Sequence, residues 1–471
     1  MITKNENKQN QMEVVILENL VPKDHILRKI DNVMDFSFIY PLVEDMYSNV
    51  GRPSIDPVLL IKLAFMDKLF GYNSMRRTCR ELEVNLAMRW FLGLSIEDKT
   101  PHFSDFSKTY TRKFSKEIEI KDDNNNVIAK KNIFEIIFEE IIKQAMERNY
   151  IYVGHVYMDS THIKANANKK KVSKQEVEEV SKNYQAQLNK EIDDECQRLG
   201  MNKPKDIEFK KKEVKQSNID KEAGVFFKGE HETQVAYLAQ TVCDSNGFIL
   251  NVGINPANMH DSSTFSDVYQ KTIKEYGVGG EKGIRAIGLD AAYKTPAIAK
   301  EIIDSGVTPL LPYTRPKGKK YNEENPVKYG KKDFRYDGEA NVFKGANECI
   351  LAARGMDRKN GYIIYRSKKS ECDKCQSRNV CLSKSANTKT MVKHIWQGYL
   401  DEVNLIRLTG YWQQYYKGRS QTIERVFADA KEKHGLRFTR KKGKSKVLDD
   451  TRIVFATMNL KKMAIWAWEA A

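Results

Sequence analysis

Residues 151–159 read IYVGHVYMD. β-branched and aromatic residues dominate the run, which predicts a buried strand ending in a carboxylate, Asp159. A second apolar run, IRAIGLD (284–290), predicts another strand ending at Asp290. A carboxylate at the end of a buried strand is costly unless a partner offsets its desolvation, and a metal ion is the usual partner. A third carboxylate comes from YKGRSQTIERVFADAK (416–431). Read as one helix, that stretch places Glu424, Phe427, Ala428 and Lys431 along one face, because residues three, four and seven apart lie above one another. Arg419 falls about one turn before the glutamate. A lone helix carboxylate among bases is ordinarily a solvated ion pair; the two strand aspartates are what give Glu424 a sharper reading. Three carboxylates from three elements could hold a pair of Mg²⁺ ions. Their separations, 131 residues from Asp159 to Asp290 and 134 from Asp290 to Glu424, mean that only a fold can bring them together.

Composition narrows the class of partner. The 471 residues carry a formal net charge of +16 and a pI near 9.2. That excess favours a polyanion, nucleic acid ahead of an anionic membrane. No run of 18 apolar residues occurs, so no bilayer-spanning segment is expected. The N-terminal MITKNENKQNQ lacks the apolar core of a signal peptide. The expectation is a soluble cytoplasmic protein that binds nucleic acid, with no membrane partner. At 41% hydrophobic residues the chain can build a sizeable core and two to four domains.

Along the chain, LVPKDHILRKI (20–30) opens a helical pattern, GRPSIDP (51–57) is a turn, and Pro57 suits the first position of the helix VLLIKLAFMDKLFG. Ser74 and Asn85 are placed to cap the next two helices. PHFSDFSKTYTRKF follows, bearing Lys108, Arg112 and Lys113. Short helices at this spacing fit a helix-turn-helix array or an ordinary bundle, and the basic residues favour DNA contact. KDDNNN marks a turn before the amphipathic helix NIFEIIFEEIIKQAMERN. Residues 169–227 are rich in Lys and Glu; Val177, Val180, Tyr184, Leu188, Ile192 and Leu199 recur at helical spacing, predicting one long helix with a single apolar stripe. TQVAYLAQTVC and FILNVGINP flank DSNG, whose Asn246-Gly247 suits a tight hairpin turn. After the Asp290 strand, TPAIAKEIIDSG predicts a helix capped by Thr295 and stopped at Gly306. Residues 313–400 interrupt the pattern, and a helix pair closes the chain. The order of strands and helices implies an α/β layer with hairpin and crossover connections.

Two clusters add chemistry. Residues 417–446 hold 11 Lys and Arg against 3 Asp and Glu. Arg437, Arg440, Lys441 and Lys442 lie in RFTRKKGKSK, a strip dense enough to track phosphates. Cys372, Cys375 and Cys381, in CDKCQSRNVC, are three of the four ligands that a structural Zn²⁺ site needs, with Cys349 or His394 as candidates for the fourth; reduced, unligated thiols are the alternative. Such a zinc would hold the insertion together and do no chemistry. His162 and His260 read first as structural histidines, with phosphate contact as the sharper alternative. Trp396 and Trp412 read first as core, with stacking on a flipped base as the alternative.

The run from Asp159 through Ser-Thr-His-Ile-Lys-Ala-Asn-Ala-Asn, the strand ending Asp290-Ala-Ala-Tyr, and Tyr416-x-x-Arg419 followed by Glu424 and Lys431 resemble the catalytic signature of DDE transposases of bacterial insertion sequences. Residues 51–114 resemble the helical DNA-binding domain that precedes it in many of them. HETQVAYLAQTVCDSNG and NPANMHDSSTF are similar to the family's hairpin and following helix. Two features depart from the pattern: four residues rather than three separate Arg419 from Glu424, and Phe343-Lys344-Gly345-Ala346 stands where relatives often carry Cys-Pro-x-Gly.

The resemblance implies an α/β fold: an RNase-H-like mixed sheet with flanking helices, preceded by an all-α helix-turn-helix-like domain and interrupted by insertions. The implied division is a DNA-binding domain at 1–115, the first part of the catalytic core at 116–312 with a helical insert at 169–227, a cysteine-containing insertion at 313–400, and the rest of the core at 401–471. It further implies Mg²⁺-dependent (or Mn²⁺-dependent) cleavage at the element's ends and strand transfer of the 3′-OH into target DNA. In that scheme Asp159 bridges two ions, Asp290 and Glu424 each complete one, and Arg419 and Lys431 touch phosphate. Double-stranded DNA is the partner, and a homodimer on two DNA ends is the expected assembly. A nuclease without strand transfer and a DNA-binding regulator with a decayed site are the competing readings; the intact carboxylate set speaks against decay.

Overall fold

The computed structural model describes every residue except 1–8, 10, 13, 49, 51–53, 123, 125, 179–183, 208–210, 229–231, 315–328, 346–348, 384 and 471. At its centre lies the strand His155–Lys164, whose first four side chains are all buried. It continues five residues past Asp159, so Asp159 stands mid-strand and not at a strand end. On one side it pairs antiparallel with Glu232–Asp244, which in turn pairs with Ile249–Pro256. On the other it pairs parallel with Ala286–Gly288, itself parallel to Thr308–Leu310. Asp290 stands two residues beyond the Ala286–Gly288 strand, capping the turn Ala291–Tyr293, and so does not itself end the strand as expected. Three further strands, Gly224–Lys228, Lys211–Ser217 and Val172–Glu178, extend the sheet from the early part of Glu232–Asp244. The helices Asp261–Tyr276 and Pro296–Asp304 supply the connections; Thr295 caps the second through Ile298 N, with proline at its start.

The N-terminal helices form where their caps predict. Asp56 accepts from Val58 N and Leu59 N ahead of Pro57–Leu69, Ser74 caps Met75–Val84, and Asn85 caps Leu86–Phe91. Residues 51–53 of the turn before Pro57 lie outside the described residues. The helix Phe103–Thr109 continues into a π turn, Tyr110–Phe114, whose Tyr110 hydroxyl donates to the buried Asp449. These helices share one contiguous apolar core with the sheet, running from Leu27 to Ala464. What joins them is the last helix, Lys444–Glu469, in which every residue from Thr451 to Thr457 is buried. It packs on Ile26–Val33, Pro57–Leu69, Ile133–Glu147 and the strand Ile249–Pro256. Its Asn459 both accepts from Ile249 N and donates to Ile249 O, satisfying a buried stretch of strand backbone.

Three expectations need correction. Residues 169–227 do not form one long helix: the helix Gln185–Arg198 is flanked by the charged strands Val172–Glu178 and Lys211–Ser217, which pair with each other at the sheet's edge. The middle of the expected stripe, including Val180, lies outside the described residues. The 313–400 segment contains a sheet of its own, five antiparallel strands from Arg335–Asp337 to Thr390–His394. The closing helix pair is four helices, Gln397–Ile406, Gly410–Tyr416, Gly418–Lys433 and Lys444–Glu469. YKGRSQTIERVFADAK therefore spans a break at Lys417.

The predicted hairpin turn is held by Asp244, whose carboxylate accepts from Tyr152 N, Asn246 N and Phe248 N. Burial raises its pKa to about 6 in spite of these bonds. The folded state therefore holds this proton more tightly than the unfolded chain. The stabilising contribution is complete below about pH 4 and is lost as pH rises through about 6, a change of about 3 kcal/mol. Urea unfolding of wild type and Asp244→Asn from pH 4 to 7 should show the wild type losing that much relative to the variant. A pH-independent difference between the two would show that the carboxyl titrates normally.

Candidate active site

The site is built around Tyr157. Its ring sits between two glycines: a Cβ on Gly288 would lie 2.6 Å from Tyr157 Cδ1, and one on Gly418 would lie 2.3 Å from Tyr157 Oη. The Tyr157 hydroxyl donates to Tyr415 O at 2.9 Å, the carbonyl at the end of Gly410–Tyr416. Tyr157 is buried with Cys243, Ile423 and Phe427, so the Glu424 helix is seated on the Asp159 strand through one aromatic ring and its apolar neighbours. Burial pushes the Tyr157 phenol up to about 12, so it stays a donor at neutral pH. His155 extends the same seam, stacking on Tyr415 at 3.7 Å and meeting the Tyr411 hydroxyl at 2.8 Å.

The register places the two aspartates. Tyr157 pairs with Gly288 across the parallel ladder, and Asp159 and Asp290 each stand two residues further on. Two residues is one side-chain repeat of a strand, so Asp159 shares Tyr157's face. Asp290 is fixed by accepting from Ala292 N at 2.8 Å, capping a short turn.

Glu424 joins them through Arg419. The Arg419 guanidinium donates to Asp159 Oδ2 at 2.5 Å and to Glu424 Oε1 at 3.0 Å. Arg419 and Asp159 are largely buried while Glu424 is more than half exposed. Tyr416 lies within the field of all of them. Its phenol is pushed up first by burial; Arg419 opposes the shift, and Asp290, Glu424 and Asp159 reinforce it. Tyr416 in turn stacks on Trp412 at 4.6 Å, and the Trp412 indole donates to Leu311 O. Among the described residues, three buried polar atoms here have no hydrogen-bond partner: Arg419 Nε, His155 Nδ1, and Thr241 Oγ1 on the residue paired with Asp159. Among the described residues, no three His, Cys, Asp or Glu side chains are already arranged around one point as metal ligands.

The basic residues fall into two neighbouring groups. Arg437, Arg440 and Lys442 are exposed on a segment that runs beside the end of the Asp159 strand, with Lys164 N donating to Arg437 O and Thr439 N donating to Lys164 O. Arg437 pairs with Glu432. Lys441 lies over the Phe106 and Tyr110 rings, which brings the strip against the helix carrying the exposed Lys108 and Arg112. Lys113 sits over Tyr47 and its pKa is lowered by burial. Lys431 is half-buried in the last turns of the Glu424 helix. His162 stacks on Phe226, His260 caps Asp261–Tyr276, and Trp396 is buried.

Away from this site, Cys349, Cys372, Cys375 and Cys381 line a single cavity in the insertion. Burial, followed by the other three thiols, pushes Cys349 up to about 11.

Tyr157, Gly288, Gly418 and Thr241 were not singled out from sequence. The available signal was a small residue two places before Asp290 matching a tyrosine two places before Asp159, and such a pairing becomes visible only once the strands are known to be neighbours.

Comparison with protein families is informative at both ends of the chain. A transposase domain family (DUF772) matches residues 15–112, and a transposase DDE domain matches residues 346–464, which include Glu424. No curated protein matches the chain. The two matches, one on the N-terminal helices and one that includes the glutamate helix, make the chain a transposase. Its place is among the DDE transposases of insertion elements. No described helix is long and apolar enough to cross a membrane.

Filling the Tyr157 slot should unseat the Glu424 helix. Gly288→Ala should lower stability by about 1–3 kcal/mol, the usual cost of overpacking. In a Tyr157→Leu background the same substitution should cost much less, which denaturant titration of the four proteins would measure. Equal costs in both backgrounds would mean that the ring does not occupy the space the glycine leaves.

Proposed function

We propose that this transposase cleaves DNA at the ends of its element and joins the freed 3′-OH ends to target DNA, with Asp159, Asp290 and Glu424 as the catalytic carboxylates. The observation that carries the reading is Arg419, one side chain spanning Asp159 and Glu424, which lie 265 residues apart in sequence. The parallel register adds Asp290 beside Asp159. The RNase-H-like assignment of the core rests on its strand order: three antiparallel strands, then two parallel ones on the opposite flank of the first.

DDE transposases as a family work with divalent metal ions. The donor set here fits Mg²⁺ or Mn²⁺, since hard cations take carboxylate oxygens and the three candidates offer nothing softer. Asp159, Asp290 and Glu424 would hold the ions. A cationic group, the Arg419 guanidinium, already lies between two of them. When bound, such ions activate the attacking hydroxyl and stabilise the leaving oxygen.

The chain's other residues bind and orient. Arg419 Nε is a buried donor with no partner, and a phosphate oxygen would satisfy it. Lys431 lies two turns beyond Glu424 and offers a second phosphate contact. The strip of Arg437, Arg440, Lys441 and Lys442 sits against the helix bearing Lys108 and Arg112. Together they form one basic surface for the DNA backbone, contributed by both ends of the chain. The N-terminal helices serve as the DNA-binding domain, Lys113 with them. Joining two ends requires two sites, so the working assembly is a homodimer on two DNA ends, at the nucleoid in the cytoplasm.

DNA carrying the element's ends, incubated with Mg²⁺, tests the proposal. Wild type should nick and join. Asp159→Ala, Asp290→Ala and Glu424→Ala should each bind DNA while losing both reactions by at least about a hundredfold, the scale of removing one electrostatic stabiliser. Undiminished cleavage by these variants would remove the carboxylates from the mechanism. Cleavage without joining by the wild type would make the protein a nuclease, and specific binding without cleavage would make it a regulator.

A further inference from the structure

We infer that Cys349, Cys372, Cys375 and Cys381 bind one structural Zn²⁺ that pins the excursion between residues 367 and 389 to the sheet of the insertion. The sequence left the fourth ligand open between Cys349 and His394. In the fold His394 is the last residue of its strand; its Nδ1 accepts from Trp396 N and its ring meets Tyr362 and Trp396, away from the cysteine cavity. Cys349 lies in the cavity with the other three, just before the strand Ile350–Asp357.

The local backbone presents these thiols as a metal knuckle would. Cys375 N donates to Cys372 O at 3.3 Å and Arg378 N to Cys375 O at 3.1 Å, a tight turn across the Cys-x-x-Cys pair. Cys381 ends the following short helix, and Cys349 O accepts from Gly345 N. The ligands thus come from a turn, the end of the helix that follows it, and a strand start more than twenty residues earlier, and all four are free thiols.

The cavity's size selects the occupant. About 20 Å³ is room for one water-sized sphere, too small for any organic cofactor. Its walls beside the thiols include Phe334 and Leu382, poor company for a water that needs two to four polar partners. A soft tetrahedral cation with thiolate bonds of about 2.3 Å matches both size and lining. Binding converts four thiols to thiolates with release of four protons, leaving a net charge of −2 on the site; no electron transfer is involved. Lys389, which donates to Cys381 O and Tyr329 O, supplies compensating positive charge, while Arg378 at the wall is paired with Asp373. The four thiols do not converge on one point, and Cys372 Sγ meets Ser367 Oγ at 2.9 Å. Binding therefore includes a closing movement of the thiols, in which Cys372 exchanges the serine for the metal.

The insertion also needs a staple. Among its described residues its own core is six buried side chains, Phe334, Phe343, Leu351, Ile363, Tyr365 and Met391. The two helices of the excursion, Lys369–Asp373 and Arg378–Cys381, have five and four residues. Helices so short are unstable alone, and small cores of this kind are ordinarily reinforced by metal or disulfide.

The test needs no DNA and is independent of the transposition reading. The full chain, purified under reducing conditions without chelator, should contain one zinc per chain by elemental analysis. Stepwise mercurial titration should release it as four thiols react. Cys375→Ser should lose zinc, while Cys79→Ser and Cys243→Ser should keep it. Because a ligand variant can misfold, Co²⁺ exchanged into wild type gives a second reading, which should show the visible bands of tetrahedral thiolate coordination. Wild type free of zinc with freely reacting thiols, or a disulfide among these four cysteines in peptide mapping, would overturn the inference.

Discussion

The seating of one ring, Tyr157 between Gly288 and Gly418, is the constraint on which the site depends. A side chain at either glycine would collide with it. The same contact explains why the helical stretch around residue 417 breaks. Backbone must pass close over the ring at Gly418, and the Tyr157 hydroxyl takes up the Tyr415 carbonyl that a continuous helix would have used. The break turns Gly418–Lys433 so that Ile423 and Phe427 face the sheet, and Glu424 reaches the Asp159 side through Arg419. Packing on one side of the strand thereby fixes charge placement further along the same face.

The C-terminal helix plays the corresponding role for the whole molecule. Lys68, buried in the Pro57–Leu69 helix, pairs with Asp450 at 2.8 Å and Asp67 at 3.6 Å, and Asp449 takes hydrogen bonds from Tyr110 and Asn132. Burying charge this way seldom adds net stability, but leaving one partner alone costs about 3–5 kcal/mol, so the arrangement discriminates strongly against a misplaced helix. The N-terminal helices are thus locked to the helix that also holds the strand Ile249–Pro256.

How much of this was legible follows from which signals are local. Strand character around Asp159 and Asp290, the caps at Ser74, Asn85 and Thr295, and the Asn246-Gly247 turn are written in neighbouring residues and form as read. The Lys- and Glu-rich stretch at 169–227 misled because charged residues serve exposed helices and edge strands alike, where they discourage edge-to-edge pairing. Val172–Glu178 and Lys211–Ser217 are such strands, and each has its partner some forty residues away. In the candidate site the carboxylates could be named, but their support could not. The Tyr157 slot needs strand order, and the break at Lys417 is invisible to a helical pattern in which glycine costs only about 1 kcal/mol.

Arg419 shows how the fold absorbs a departure in sequence. Five residues along a helix advance about 7.5 Å and turn about 140°, so Arg419 and Glu424 do not share a face as residues three or four apart would. The guanidinium closes that gap because Arg419 lies in the first turn, directly beside Asp159, and Glu424 swings back to meet it. The two carboxylates share one bridging cation. In this arrangement the cation is Arg419. Were Asp159 and Glu424 to hold a divalent ion, the Arg419 guanidinium beside them would supply donors suited to a phosphate. The extra residue between Arg419 and Glu424 sets the arginine off the glutamate's face, and the length of the arginine side chain lets it span both carboxylates from there.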